Sequence, residues 1–416
     1  MKRIFRLAAW AVIPFVLAGI LFSAGFVAGN TTADHGFRPL AQLMGHRPPE
    51  PPVGFEDVDF TVFWEAWTAV QDNLYNGPIE ADILREGAVR GVAQATQDRH
   101  TIYQNTAEAL RSRERLLGRF DGVGIRVQLR DSIPFVIMPL PGSPAERAGI
   151  EPSEYVVAVD GVRTDGMSLV EFGELVRGER GTTVVLTMRP EGSSVERDVS
   201  LERERIVVPS VTRDRFGNIG YVRIANFGDH TASELRDAVD SLKSAGIAAL
   251  VLDLRNNPGG LLETSVEVAA QFLANGQAIL IQESRHEPRT LWRVQGDGGD
   301  TTTPMAVLVN AASASAAEIV AGALQAHGRA QLVGEETFGK GSMQELHQLS
   351  DNSVMRVTSG IWITPDDVNL GGQGLVPDVL IDSPDMSLGH REDEVLRAAL
   401  SLLESEMISG DAGLRR

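Results

Sequence analysis

The stretch Val307 to Gln344, VLVNAASASAAEIVAGALQAHGRAQLVGEETFGKGSMQ, decides how this chain reads. An apolar strand-like run, Met305 to Val309, leads through Asn310 into alanines and serines, and a helical pattern follows from about Ser315 to His327. A second short strand falls around Gln331 to Val333, and a lysine, Lys340, then stands between Gly339 and Gly341. A serine at the mouth of a helix sits where backbone N–H groups point outward and stabilise developing negative charge. A lysine 25 residues further on can be its base only if burial or nearby positive charge lowers its pKa from the ordinary value of about 10.4. The flanking glycines let backbone approach closely and leave the amine few polar partners. Ser313 and Ser315 both remain open as nucleophile on this pattern.

Upstream, Ile247 to Leu254 (IAALVLDL) is a continuous apolar run with one aspartate, the pattern of a strand buried on both faces. It ends in Arg255-Asn256-Asn257-Pro258-Gly259-Gly260, a strong turn signal, and Leu261 onward reads as a helix. Downstream, Leu349 to Ser353 reads as a hairpin turn and Val354 to Thr364 as a strand ending at Pro365.

Three runs carry a family resemblance: Val309-Asn310-x-x-Ser313-Ala314-Ser315-Ala316-x-Glu318-Ile319, then Ala321-Gly322-Ala323-Leu324, then Gly334-Glu335-x-Thr337-Phe338-Gly339-Lys340-Gly341-x-x-Gln344. Together they resemble the core signature of the carboxyl-terminal processing (tail-specific) serine peptidases. The likeness extends to the Leu254–Gly260 turn and to a closing segment, Gly371 to Val379, and covers most of the chain beyond the first 55 residues. It implies an α/β core of the ClpP/crotonase-like spiral type over residues 205–390, with Ser315 as nucleophile, Lys340 as general base and Gln344 orienting the lysine. Gln344 would share a face with Lys340 if that segment coils. The resemblance also implies an oxyanion hole, for which the backbone N–H groups of Gly260 and Ala316 are the expected donors.

A separate β-rich module is expected at residues 118–204. Phe120 to Ile125 begins a strand, Pro141 to Ile150 (PGSPAERAGI) reads as a turn and one helical turn, Val156 to Gly161 as strand and turn, Leu169 to Val176 as a short helix, and Thr183 to Met188 as a strand. This order resembles a PDZ domain of the bacterial protease-associated kind. Such domains add an extended peptide as a strand while loop amides hold its terminal carboxylate, and that loop corresponds here to Gly122, Val123, Gly124 and Ile125. One departure is the turn after Ile150: Pro152-Ser153-Glu154-Tyr155 stands where the family has Gly-Asp.

Residues 55–117 read as a helical region, with Phe60, Phe63, Trp64, Trp67 and Val70 at helical spacing as a packing stripe and a second helix over Ile83 to Thr96. In relatives this region often supports dimerisation, which makes a homodimer an expectation. The family's GDPYTxY segment appears as Gln97-Asp98-Arg99-His100-Thr101-Ile102-Tyr103, without the proline and with His100 at an aromatic position. At the N-terminus, Lys2, Arg3 and Arg6 precede an uncharged stretch from Leu7 to Gly29, long enough to span a bilayer. Residues 1–29 are therefore expected to anchor the chain in a membrane with the remainder outside the cytoplasm. Cleavage of a signal peptide near Ala24 to Ala28 is the alternative. A proline-rich linker, 30–54, and a C-terminal helix and tail, 391–416, complete the organisation.

The chain has 416 residues, 43% of them hydrophobic, and a formal net charge of -18. That charge argues against a nucleic-acid partner, and the lack of cysteine excludes disulfides and thiolate chemistry. Gly334 to Lys340 fits the first part of a phosphate-binding loop, but Gly341 stands where Ser or Thr must hold Mg²⁺. No HExxH pattern and no GxSxG elbow occur, and the histidines are scattered, although His327 or His347 could complete a Ser/His/Asp set. The sequence thus predicts a serine endopeptidase, without metal or organic cofactor, that takes protein or peptide substrates with accessible C-termini. The competing expectation is a catalytically idle PDZ scaffold that binds C-termini.

Overall fold

The computed structural model describes residues 57–285, 287–296, 298–381 and 393–413. The expected membrane anchor and proline-rich linker lie outside the described residues, among which no helix is long and apolar enough to cross a membrane. The chain divides into two compact units, Met1–Glu80 and Ala81–Arg416. In the first, helix α1 (Thr61–Asn73) starts where the Asp59 carboxylate accepts the Thr61 N–H at 2.8 Å. Its aromatic stripe meets mainly itself, with Phe63 against Trp64 at 5.0 Å and against Trp67 at 5.8 Å between ring centroids. No residue of α1 is buried; the stripe expected to pack stays open, since a helix of three to four turns cannot bury its own face.

The second unit opens with α2 (Ala81–Ala95), β1 (Ile102–Gln104) and α3 (Thr106–Leu117). Asn105 and Glu108 form a capping box at the start of α3, and Gly118 ends it in the left-handed conformation. There follow β2 (Arg119–Gly122), β3 (Ile125–Arg130), β4 (Ile133–Pro139), the single turn α4 (Pro144–Arg147), β5 (Glu154–Val159), β6 (Val162–Arg163), α5 (Leu169–Val176), β7 (Thr183–Pro190), β8 (Arg197–Glu202) and β9 (Glu204–Val207). The strand expected from Phe120 to Ile125 is broken at Val123 and Gly124: β2 pairs with β9, whereas β3 is an edge of a sheet ordered β3-β4-β5-β7-β8. Val123, Val136, Val156, Phe172, Leu186 and Met188 build this module's own core. The unusual turn after Ile150 keeps its geometry because Ser153 takes φ 68° in place of a glycine. Buried Glu154 there pairs with Arg197 at 2.9 Å and accepts the Glu151 N–H at 3.0 Å.

A six-stranded sheet comprises β10 (Val211–Phe216), β11 (Ile219–Ile224), β12 (Ala249–Asp253), β15 (Met305–Val309), β16 (Gln331–Gly334) and β19 (Val379–Leu380), in that order and parallel from β11 onward. Alternation along β12 explains its apolar run. Leu250 and Leu252 join the cluster formed with α6 (Thr231–Ser244), α7 (Leu262–Ala270) and α8 (Ala316–Ala326), while Ala249 and Val251 face α9 (Glu394–Gly413) through Val395, Leu396, Ala399 and Leu403. A second sheet is organised around β18 (Val354–Ile363). β17 (Ser342–Gln348) pairs along one side of it, and β1 and β13 (Ala278–Ser284) along the other, with β14 (Thr290–Arg293) beyond β13. Three loops, 255–261, 310–315 and 335–341, therefore leave the carboxyl ends of neighbouring strands β12, β15 and β16, where open parallel sheets present their sites.

Candidate active site

Ser315 caps the N-terminus of α8 with φ 57° and ψ -117°. A residue with a Cβ reaches that region only at a cost of order 1–3 kcal/mol, and such strain concentrates at functional sites. Ser313, the competing serine, is fully buried and committed: its Oγ donates to Leu254 O at 2.8 Å and accepts the Asn310 N–H at 3.0 Å. It ties the loop after β15 to the end of β12. Three further bonds make the same tie: Ala314 N–H to Asn257 O at 2.9 Å, Asn256 N–H to Asn310 Oδ1 at 2.9 Å, and Asn310 Nδ2 to Asn256 Oδ1 at 2.9 Å.

Gly259 shows why the turn needs its glycines. Its φ is 97°, and a Cβ there would lie 2.8 Å from the Ser315 Cβ and 3.0 Å from the Ala316 nitrogen. Asn257 Oδ1 takes the Gly259 N–H at 2.8 Å, and the Gly259 carbonyl accepts from Phe227 at 3.0 Å. The N–H groups of Gly260 and Ala316, the two expected donors, donate to no protein acceptor among the described residues. Both belong to backbone beside Ser315, and the second is an unpaired first-turn amide of a helix.

Glu318 joins the serine to the lysine. Fully buried on the first turn of α8, its carboxylate accepts the Ser315 N–H at 2.8 Å, the Lys340 N–H at 2.9 Å, the Gly339 N–H at 2.6 Å and the Thr337 hydroxyl at 2.6 Å. Phe338 N–H adds a direct bond to Ser313 O at 3.0 Å. Two loops that the sequence separates by more than 20 residues are thus fixed to one side chain. The spacing Ser315-x-x-Glu318 is that of a capping box, so the signal was in the sequence, although no role attaches to Glu318 there.

Lys340 is half-buried. Burial, and then the Arg356 guanidinium, hold its pKa below the ordinary lysine value, with Glu318 opposing them. Its Nζ makes no hydrogen bond or ion pair among the described residues. Gly341 must be glycine because a Cβ would lie 2.3 Å from the Gly371 nitrogen, so the closing segment backs the lysine loop. Gln344 corrects one expectation: the segment after Lys340 is a strand, β17, rather than a turn of helix, because it pairs along the length of β18. The Gln344 amide donates to Ser342 Oγ at 2.8 Å. His327 lies at the opposite end of α8 from Ser315, about 18 Å of helix away, and holds Ala278 O at 2.7 Å. His347 is an exposed residue of β17 beside Glu345. Neither enters the site.

In the smaller module, Val123 and Gly124 form the break before the open edge of β3. Their carbonyls accept from Ala145 at 3.0 Å and from Leu140 at 2.8 Å, and Ser143 Oγ also donates to Gly124 O at 3.0 Å. Their N–H groups donate to no protein acceptor among the described residues. Helix α5 packs against β3, so the loop Gly122 to Ile125 leads into a groove between a sheet edge and a helix, the setting in which a peptide adds as a strand.

An α/β fold, a strained serine at a helix start, a half-buried lysine whose backbone shares the Glu318 carboxylate with that serine, and an added PDZ-type module are the features of a serine peptidase. The comparisons agree: residues 218–381 match the model of peptidase family S41, and residues 136–190 match that of a PDZ domain. The chain belongs to peptidase family S41. It is 32% identical to the carboxy-terminal processing protease CtpA of Bacillus subtilis over 92% of this chain and 79% of that protein. A CtpA-like serine protease of Staphylococcus haemolyticus is 36% identical over 92% of this chain and 74% of its own length. Among solved structures, an S41 protease from Bacteroides fragilis covers 82% of this chain and 97% of its own at 16% identity with a TM-score of 0.52, a likeness of fold.

Proposed function

We propose that the chain is a C-terminal processing endopeptidase working outside the cytoplasm, with Ser315 as nucleophile and Lys340 as its base. The tail of a protein substrate adds to the β3 edge with its carboxylate at Gly122 to Ile125, and a nearby peptide bond reaches Ser315. Neutral Lys340 takes the hydroxyl proton as Ser315 Oγ attacks the carbonyl carbon, and the Gly260 and Ala316 N–H groups receive the oxyanion. The lysine then protonates the leaving amine, and water releases the acyl group by the reverse sequence. Gln344 supports the lysine loop from β17. The expected N-terminal anchor places the enzyme at the outer face of a membrane, and a pair of chains is its expected assembly.

The observation that carries this reading is the single Glu318 carboxylate that holds the backbones of Ser315 and Lys340 together. Cleavage of an unstructured protein with an apolar C-terminus tests it on the full-length chain. Ser315→Ala and Lys340→Ala are each expected to lose at least about 10³-fold in kcat/KM while still binding the tail. A wild-type chain that binds the tail and never cuts it would return the protein to the scaffold reading.

A further inference from the structure

The amide of Gln344 has two chemically opposite ends, a nitrogen that only donates and an oxygen that only accepts, so which end faces the lysine loop decides what it can do there. Its Nε2 donates to Ser342 Oγ at 2.8 Å on the same strand, β17. Directly across the ladder stands Thr358 of β18. Opposed residues of an antiparallel pair share one face of the sheet, with Cβ atoms about 5 Å apart. The register shifts between Met343 and Gln344, and bulges of this kind re-aim side chains next to active sites.

Thr358 is held from its other side by the loop ahead of β1. Its N–H turns away from β17 and donates to Thr101 Oγ1 at 3.1 Å. The buried Thr101 hydroxyl in turn donates to Asp98 Oδ2 at 2.7 Å, and the His100 N–H donates to Asp98 Oδ1 at 3.0 Å. The Thr358 Oγ1 is itself buried and makes no hydrogen bond of good geometry among the described residues. It lies beside the Asp98 carboxylate all the same: burial raises that group's pKa, and the nearness of the Thr358 and Thr101 hydroxyls outweighs it and brings the value down to about 2. Asp98 is therefore a carboxylate at any working pH, an acceptor aimed at Thr358. The segment Gln97 to Tyr103, to which sequence alone attaches no chemistry, thus has a direct hold on the residue opposite Gln344.

We propose that Thr358 is a positioning residue for the peptidase reaction: its hydroxyl donates to Asp98 and accepts the second Nε2 hydrogen of Gln344, which turns Oε1 toward the lysine. The inference rests on the reading in which Gln344 orients Lys340. With the hydroxyl proton committed to Asp98, only the acceptor side of Thr358 faces Gln344. A flipped amide would set Oε1 against the Thr358 oxygen, two acceptors with no proton between them, and that arrangement is expensive in a buried place. The nitrogen is therefore kept between Ser342 and Thr358, and the amine of Lys340, a donor in either protonation state, meets a fixed acceptor in Oε1.

The test measures kcat and KM of the full-length enzyme for wild type, Thr358→Val, Thr358→Ser, Gln344→Ala and the double variant Thr358→Val/Gln344→Ala, with tail-peptide binding and thermal unfolding as checks on folding. Thr358→Val keeps the shape and removes the hydroxyl; it is expected to lose about tenfold in kcat with KM unchanged, and Thr358→Ser to restore most of that rate. In the Gln344→Ala background the same Val substitution should cost less than about twofold, because the group it acts through is gone. Should Thr358→Val not fold, Thr358→Ala read against Thr358→Ser carries the same comparison. A full tenfold loss in the Gln344→Ala background, a loss confined to KM, a Ser variant as slow as the Val variant, or wild-type kcat in Thr358→Val each overturns the proposal. If Gln344→Ala cleaves as wild type does, the assignment of Gln344 to the lysine fails and takes the proposal with it. If Gln344→Ala is slow and Thr358→Val is not, that assignment stands and the role of Thr358 alone falls.

Discussion

Glu318 is the residue on which the site's geometry turns. A carboxylate has only acceptors to offer, and here four donors surround it, three of them backbone N–H groups of Ser315, Gly339 and Lys340. Removing the charge while keeping the shape should therefore loosen the two loops relative to each other without emptying the core. Glu318→Gln places an NH₂ group among N–H donors, and one of those contacts must open. The expected result is a fall of about 100-fold in kcat, because small misplacements of reacting groups are severe, with tail-peptide affinity preserved in the separate PDZ core. A titration calorimetry measurement of peptide binding beside the cleavage rate separates the two, and equal losses in both would show that Glu318 supports the fold at large. The strain at Ser315 is held by the same bonds, so its φ of 57° is a property of the assembled loops rather than of the serine.

At the level of elements, the C-terminal helix reaches the turn after β12 through charge. Arg255 is 2% exposed; its guanidinium bonds to both Asp253 carboxylate oxygens, and to both of Asp393 at 2.8 Å. Tyr221 donates to Asp253 at 2.7 Å, which, after burial, drives its phenol pKa further up. Asp393 precedes α9 and also accepts the Leu396 N–H at 3.0 Å, so one carboxylate both caps the helix and docks it. Asp393→Ala should cost about 3 kcal/mol in denaturant unfolding, the scale for stripping one partner from a buried pair, and lower cleavage because Asn256 follows Arg255 directly. A loss under about 1 kcal/mol would mean that α9 is held by its apolar face alone. Most strands and helices were legible in the sequence because periodicity and turn residues are local, and Ser315 and Lys340 were legible as candidates because the Ser-Ala-Ser and Phe-Gly-Lys-Gly runs are specific. The Asp393 clamp was not, since helix docking across the chain creates it. The strand form of residues 342–348 was missed for the same reason: pairing with β18, not the local pattern, decides it.

The whole molecule separates capture from cleavage. The PDZ module has its own core and an open edge at β3, while Ser315 and Lys340 belong to loops of the parallel sheet, so on the proposed function tail recognition and chemistry use different residues. Such an arrangement predicts that a substrate's terminal carboxylate affects how much enzyme is occupied more than how fast the bound bond is cut. With a formal net charge of -18, the chain has no general attraction for an anionic tail. On the proposed function recognition then comes from local amides, those of Val123 and Gly124 being without a protein acceptor among the described residues. Amidating the C-terminus of an otherwise identical substrate removes the charge that strengthens those hydrogen bonds. The expected outcome is a KM raised by about tenfold with kcat nearly unchanged, measured on the full-length enzyme across substrate concentrations. A free-acid competitor peptide should inhibit cleavage of the free-acid substrate more strongly than its own amide does. Equal KM for acid and amide would instead place recognition in the side chains along the groove between β3 and α5, and a change in kcat alone would mean that occupancy of the PDZ module alters the arrangement of Ser315 and Lys340.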